Sequence, residues 1–152
     1  MAIIRLLLVD DEERFLTTTS ALLEKRGLET FTATNGLDAI KVLDANRIDV
    51  VILDVRMPGL DGLEVLCSIK HKHPLIEVIM LTGHATVESA VSGLRLGAFD
   101  YLMKPCDVSV LLKKVAEAHA RKQTAEEEAR KARIDHIVSD PLSVFEDEQP
   151  PQ

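Results

Sequence analysis

At 152 residues and 16.8 kDa the chain is long enough for one domain with a proper core and too short for two of ordinary size. Hydrophobic residues at 46% and charged residues at 28% describe a soluble globular protein, and 3% aromatics with no Trp leave the core to aliphatics. A net charge of −7 argues against a broad nucleic-acid-binding face and against attraction to anionic lipid.

In chain order, Ile4 to Val9 is an aliphatic run that reads as a first strand. It is too short for a membrane span and lacks a small-residue cleavage pattern, so it is not a signal peptide. Acidic residues then open a helix from about Glu12 to Arg26, with Phe15, Leu16, Ala21, Leu22 and Leu23 as its inner face and Gly27 as a left-handed cap. Leu28 to Thr34 is rich in β-formers, and Asn35-Gly36 turns into a helix from Leu37 to about Ala45, with Leu37, Ile40, Val42 and Leu43 apolar. Val50-Val51-Ile52-Leu53 is apolar without alternation, the pattern of a strand buried on both faces of a parallel sheet. It stops at Asp54, ahead of Val55-Arg56-Met57-Pro58-Gly59. A helix from about Gly62 to Lys72 follows, then a buried strand from Glu77 to Leu81 ending at Thr82-Gly83. The next helix spans about Thr86 to Leu96 with Gly97 as its cap; Asp100 to Met103 is a short fifth strand, Lys104-Pro105 closes it, and a last helix begins near Asp107.

Strands and helices in strict alternation predict an α/β fold, a doubly wound five-stranded parallel sheet of flavodoxin-like order 2-1-3-4-5, because each parallel connection needs a helical crossover. The expected organisation is a domain over 3–120, a charged helical extension over 121–138 with Ala125, Ala129 and Ala132 on one stripe, and an acidic, disordered tail over 139–152. The extension reads first as a solvated helix and second as a weak dimerising or docking helix. Cys67 and Cys106 have neither metal-ligand nor redox spacing, which favours a reducing, cytoplasmic compartment.

In that strand order Asp10 and Asp11, Asp54, Thr82 and Lys104 all fall at the carboxyl ends of neighbouring strands, where open α/β sheets bind ligands. Asp54 as a helix cap is a weak alternative, since Pro58-Gly59 intervenes and Asp61 or Gly62 is better placed. Asp10 and Asp11 as caps, Thr82 as a strand-end hydroxyl and Lys104 as a solvated lysine are each ordinary taken singly, but all must hold together. Three converging carboxylates repel one another and call for a hard divalent ion such as Mg²⁺ or Mn²⁺. With it, Asp54 becomes an oxygen nucleophile for a phosphoryl group, Lys104 a second positive centre, and Thr82 and the backbone N–H groups near Val55-Arg56 and Gly83 hydrogen-bond donors.

At these residues, and at Leu53-Asp54-Val55-Arg56-Met57-Pro58-Gly59-Leu60-Asp61-Gly62 and Tyr101-Leu102-Met103-Lys104-Pro105, the chain closely resembles the receiver domain of bacterial two-component response regulators, of the single-domain, CheY-like type. The resemblance covers about residues 3 to 120. It implies phosphotransfer from a sensor histidine kinase or a phosphotransfer protein to Asp54. It also implies Asp11 and Asp54 as carboxylate ligands of Mg²⁺, Arg56 as a ligand through its carbonyl and Asp10 through a water. Lys104 would contact the phosphoryl group, and the Lys104–Pro105 peptide would be cis. Thr82 and Tyr101 would form the switch, changing a protein-binding face of the fourth helix, fifth strand and fifth helix. Arg56 and His84 would tune the lifetime of the aspartyl phosphate, giving one longer than in fast chemotaxis receivers.

Three other readings compete. An aspartyl-nucleophile phosphatase of the haloacid dehalogenase type needs a second aspartate two residues after the nucleophile, where this chain has Arg56. A nucleotide-binding domain conflicts with Asp-Asp-Glu-Glu after the first strand, and a degenerate scaffold conflicts with intact Asp54, Thr82 and Lys104. The expectation is therefore a phosphoacceptor, not an enzyme beyond self-phosphorylation and autodephosphorylation. No DNA-binding output is recognisable, so the partner is an unidentified downstream protein, or else the chain is the receiver fragment of a longer regulator. No direct nucleic-acid or membrane contact is expected, and the molecule is expected to be a monomer or a weak phosphorylation-promoted dimer.

Overall fold

The structure, a computed structural model, describes residues 3–57, 59 and 61–139. The expected acidic tail, Ser139 apart, lies outside the described residues, as do Pro58 and Leu60. Five strands alternate with five helices: β1 (Arg5–Val9), α1 (Glu13–Glu24), β2 (Glu29–Ala33), α2 (Gly36–Ala45), β3 (Val50–Leu53), α3 (Gly62–Lys72), β4 (Glu77–Thr82), α4 (Val87–Arg95), β5 (Asp100–Met103) and α5 (Val108–Ser139). The strands form one parallel sheet in the order β2-β1-β3-β4-β5, as the alternation predicts.

Successive residues of a strand point to opposite faces, and here both faces are covered, which is why residues 6–9 of β1, all of β3 and residues 78–81 of β4 are apolar. Leu7, Val9, Val51, Leu53, Val78 and Met80 meet Ala39 and Leu43 of α2 and Val65, Leu66 and Ile69 of α3. On the other face Leu6, Leu8, Val50, Ile52, Ile79 and Leu81 meet Leu16 and Leu23 of α1 and Leu111, Val115 and Ala118 of α5. The register pairs Val9 with Leu53 and Leu53 with Met80, so β1 and β3 end side by side and β4 runs two residues further, to Thr82.

Several sequence-based assignments shift. In α1 the inward residues are Leu16, Thr19 and Leu23, while Ala21 and Leu22 are exposed: their places on the helix turn them away from the sheet. Leu37 is exposed in the same way, because α2, which starts at Gly36 with Asn35 as its cap, turns Gly36, Ala39 and Leu43 inward and Leu37 away. Gly27 and Gly97 adopt φ of 89° and 104°, the left-handed caps expected of them.

The chain divides into two compact units, Met1–Lys122 and Gln123–Gln152. In the second, α5 continues to Ser139 with an ion pair between Arg130 and Glu127 at 3.3 Å, and Ile134, Ile137 and Val138 exposed. No helix among the described residues is long and apolar enough to cross a membrane.

Candidate functional site

The carboxyl edge of the sheet gathers the chemically useful side chains. Asp10 follows β1 directly; it is 1% exposed, and its Oδ1 accepts a 2.9 Å hydrogen bond from the Glu12 amide. That bond bends the chain into α1, whose first cap, Glu12, has no side-chain capping bond of its own. Asp11, next in sequence, faces solvent. Asp54 follows β3, is buried, and accepts from the Arg56 amide at 3.2 Å.

The segment after Asp54 is held by Gly62, whose amide donates to Val55 O at 2.8 Å. A Cβ at Gly62 would lie 2.2 Å from Asp54 O and 2.7 Å from Val55 Cα, so only glycine lets α3 approach this closely. Asp61 caps α3 by accepting from the Leu63 amide at 3.1 Å, which leaves Asp54 free of a capping role.

Thr82, the last residue of β4, is fully buried, and its Oγ1 accepts from the His84 amide at 3.1 Å. Lys104 follows β5, ties its amide to Thr82 O at 2.9 Å, and precedes a cis peptide to Pro105. A cavity of about 570 Å³ opens over the edge, lined among others by Asp11, Glu12, Asp54, Arg56, His84 and Ser89.

The electrostatics are lopsided. Carboxylate oxygens of Asp10, Asp11 and Asp54 lie within 4.8 Å of one another. The Lys104 ammonium serves this group, 2.5 Å from Asp10, 3.5 Å from Asp54 and 3.8 Å from Glu12. Burial pushes the Asp10 carboxyl above its ordinary range, and the hydrogen bonds from Lys104 and the Glu12 amide only partly offset it. Burial pulls the Lys104 ammonium down, but Asp10, Asp54 and Glu12 together more than reverse this and its pKa is raised. One cation shared by several anions gains from all of them, while each anion stays under-compensated. An all-oxygen, anionic donor set of this kind, one carboxylate facing water and two buried, fits a hard divalent cation.

Tyr101 is half-buried against the α3 side of the core, and its hydroxyl shares a 2.6 Å hydrogen bond with Ser89 Oγ. Ser89 is also the third residue of the α4 capping box with Thr86, so the tyrosine is attached to the start of that helix. Of α4 itself only Gly93 is buried, and a Cβ there would lie 3.5 Å from the Tyr101 ring. The structure thus brings Asp10, Asp11, Asp54, Arg56, Thr82, His84 and Lys104 to one edge, with Tyr101 one strand-width away from Met80 on β5.

Three further residues that the sequence does not mark as part of the site join it: Glu12, Ser89 and Phe15, whose ring centroid lies 4.0 Å from the Lys104 ammonium. Thr-x-x-Ser at 86–89 is a readable capping signal, but nothing local announces its bond to Tyr101. Phe15 reads from sequence as a core residue only.

Comparison with known proteins identifies the family and the fold. The model of the response regulator receiver domain family matches residues 6–116. The DNA-binding transcriptional regulator NtrC of Escherichia coli (strain K12) is 39% identical over 117 residues, which are 76% of this chain and 25% of that protein. A CheY-like receiver domain protein from Methanospirillum hungatei superposes with a TM-score of 0.78 at 29% identity, over 82% of this chain and 99% of that one. NtrX from Brucella abortus, solved with ADP, superposes at 0.79 and 32% identity over 84% of this chain and 30% of its own. The chain spans about a quarter of the length of the curated relatives it matches.

Proposed function

The chain belongs to the family of response regulator receiver domains of two-component systems, and from that premise we propose that Asp54 accepts a phosphoryl group from a phosphohistidine of a sensor histidine kinase or phosphotransfer protein. The observation that carries this is the meeting of three carboxylates and one ammonium at an open strand edge.

An Asp54 carboxylate oxygen attacks phosphorus, the P–N bond to the donor imidazole breaks, and the imidazole nitrogen takes the electron pair. Asp11, Asp54 and the Arg56 carbonyl would hold Mg²⁺ or Mn²⁺, with Asp10 acting through water, and the ion would supply charge that offsets the phosphoryl oxygens. Lys104 exchanges its pairing with Asp54 for a phosphoryl oxygen. The Thr82 hydroxyl donates to another, and the space it leaves admits Tyr101, which must then let go of Ser89. That release is the event a partner can read, at the start of α4. Arg56 and His84, exposed at the cavity rim, control the approach of water and so the phosphoryl lifetime.

Receiver domains act as regulatory switches rather than as classical enzymes, and Arg56 stands where a phosphatase of this chemistry places its acid. The NtrC relative's name, a DNA-binding transcriptional regulator, and the greater length of the relatives favour an output carried by a longer regulator over a separate target protein. Val87, Val91, Leu94 and Met103, apolar and exposed on α4 and β5, support self-association after phosphorylation.

Intact-mass spectrometry after incubation with acetyl phosphate and Mg²⁺ tests the reading. One labile phosphoryl adduct is expected, absent in Asp54→Asn and in EDTA; an adduct that persists in Asp54→Asn rejects Asp54 as the acceptor.

A further inference from the structure

On top of the reading that Asp54 is phosphorylated, we propose that Phe15 is a positioning residue for that reaction, its ring face holding the Lys104 ammonium between Asp10 and Asp54. A lysine is a poor candidate to stay put unaided: four rotatable bonds carry its charge, and fixing them costs entropy. Here three carboxylates compete for the ammonium, Asp10 nearest and Asp54 and Glu12 beyond. The Phe15 ring centroid lies 4.0 Å from Nζ, inside the range where an aromatic quadrupole attracts a cation. The lysine side chain is 15% exposed, so little water intervenes to weaken the contact.

The ring's own placement is firm. Phe15 lies in the first turn of α1 and packs against the apolar cluster that includes Leu16 and Leu81. Phe15 and Lys104 also share the wall of a second, largely apolar cavity of about 500 Å³, with Glu12, Pro105, Val108 and Leu111. The ammonium therefore lies among the Asp10, Asp54 and Glu12 carboxylates, with the ring centroid 4.0 Å away and the second cavity beside it. Without the ring, the lysine has room to turn into that space. A phosphoryl group arriving at Asp54 then finds the ammonium displaced for part of the time.

A leucine fills similar volume and keeps the packing but has no quadrupole; tyrosine keeps the ring face. The rate of adduct formation from acetyl phosphate and Mg²⁺ is expected to fall about fivefold in Phe15→Leu, a factor within the span of a partly desolvated cation–π contact. Phe15→Tyr should restore it. In a Lys104→Met background Phe15→Leu should slow the residual reaction no further, since the ring then has no cation to hold. The Lys104 side-chain methylene protons should lose their ring-current shift in Phe15→Leu and keep it in Phe15→Tyr. Phe15→Met is the second apolar replacement should the leucine variant fail to fold. Wild-type rates in Phe15→Leu, or an equal slowing with and without Lys104, overturn the assignment. An absence of adduct in the wild type overturns the phosphoacceptor reading itself, and this role for Phe15 with it.

Discussion

The same sheet buries carboxylates at both of its edges, and the two edges treat them differently. At the amino edge, Asp49 before β3 and Glu77 at the start of β4 are 3% and 6% exposed. Asp49 accepts from the Lys122 ammonium at 3.0 Å and from the Arg5 amide at 2.9 Å, with His119 at 4.0 Å, and Glu77 has Arg121 at 3.9 Å. Anion and cation are matched there, and α5 is fastened to the sheet. At the carboxyl edge one ammonium answers Asp10, Asp54 and Glu12, with Asp11 beside them, under an open cavity. Matched buried charge builds structure; unmatched buried charge beside solvent is left ready for a ligand that brings the missing counter-charge.

The comparison is most sharply broken at the amino edge. Lys122→Ala should cost about 3 to 5 kcal/mol in urea unfolding, because it strands the Asp49 carboxylate in the interior. Replacing both partners by apolar residues of similar size, Asp49→Leu with Lys122→Met, should recover most of that loss. A single and a double variant of equal stability would show that the pair is not what holds the edge.

At the carboxyl edge the sign reverses. Asp54→Asn should raise the stability of the metal-free protein by about 1 kcal/mol, since it removes one of several repelling charges. Mg²⁺ at a hundred times its dissociation constant should stabilise the wild type by about 2.7 kcal/mol and Asp54→Asn by much less. Denaturant titrations with and without Mg²⁺ read both effects, and metal-independent stability would contradict the fit of the carboxylates to a cation.

The smallest effect is in pH. The Asp10 carboxyl lies above its ordinary value in the folded state, so between 3.8 and its folded pKa the native protein holds more proton than the unfolded chain. Stability attributable to Asp10 therefore grows as pH falls through the folded pKa and is lost as pH rises through it. Without Mg²⁺, the stability difference between wild type and Asp10→Asn should move in favour of the wild type on acidification, and a pH-independent difference would remove this account.

Much of the carboxyl edge is legible before any coordinates. Uninterrupted apolar runs at 50–53 and 78–81 mark doubly buried strands, and the residues that end them fall at neighbouring strand ends once alternation fixes a parallel sheet. The amino edge is not legible, because Asp49 and Lys122 lie 73 residues apart and meet only when α5 has crossed the sheet. A lysine at 122 within a charged, alanine-rich stretch reads as solvated, yet it is 7% exposed. The same holds for Ser89 with Tyr101 and Phe15 with Lys104: each partner has an adequate local explanation, a capping box or a core position, that hides the tertiary one. Ala21, Leu22 and Leu37 err in the other direction, since an apolar residue is counted inward by type while the helix phase turns it out.

The buried lysine also decides where this receiver can be cut. The family match ends at 116, but the compact unit runs to Lys122. A fragment trimmed to the match would lose His119, Arg121 and Lys122 and keep Asp49 and Glu77, buried carboxylates with their side-chain cations gone. Such a fragment would retain the whole cluster at the carboxyl edge and yet be handicapped at the far end of the sheet. In any transplant of this receiver onto an output domain, the junction belongs after the turn of α5 that carries Lys122.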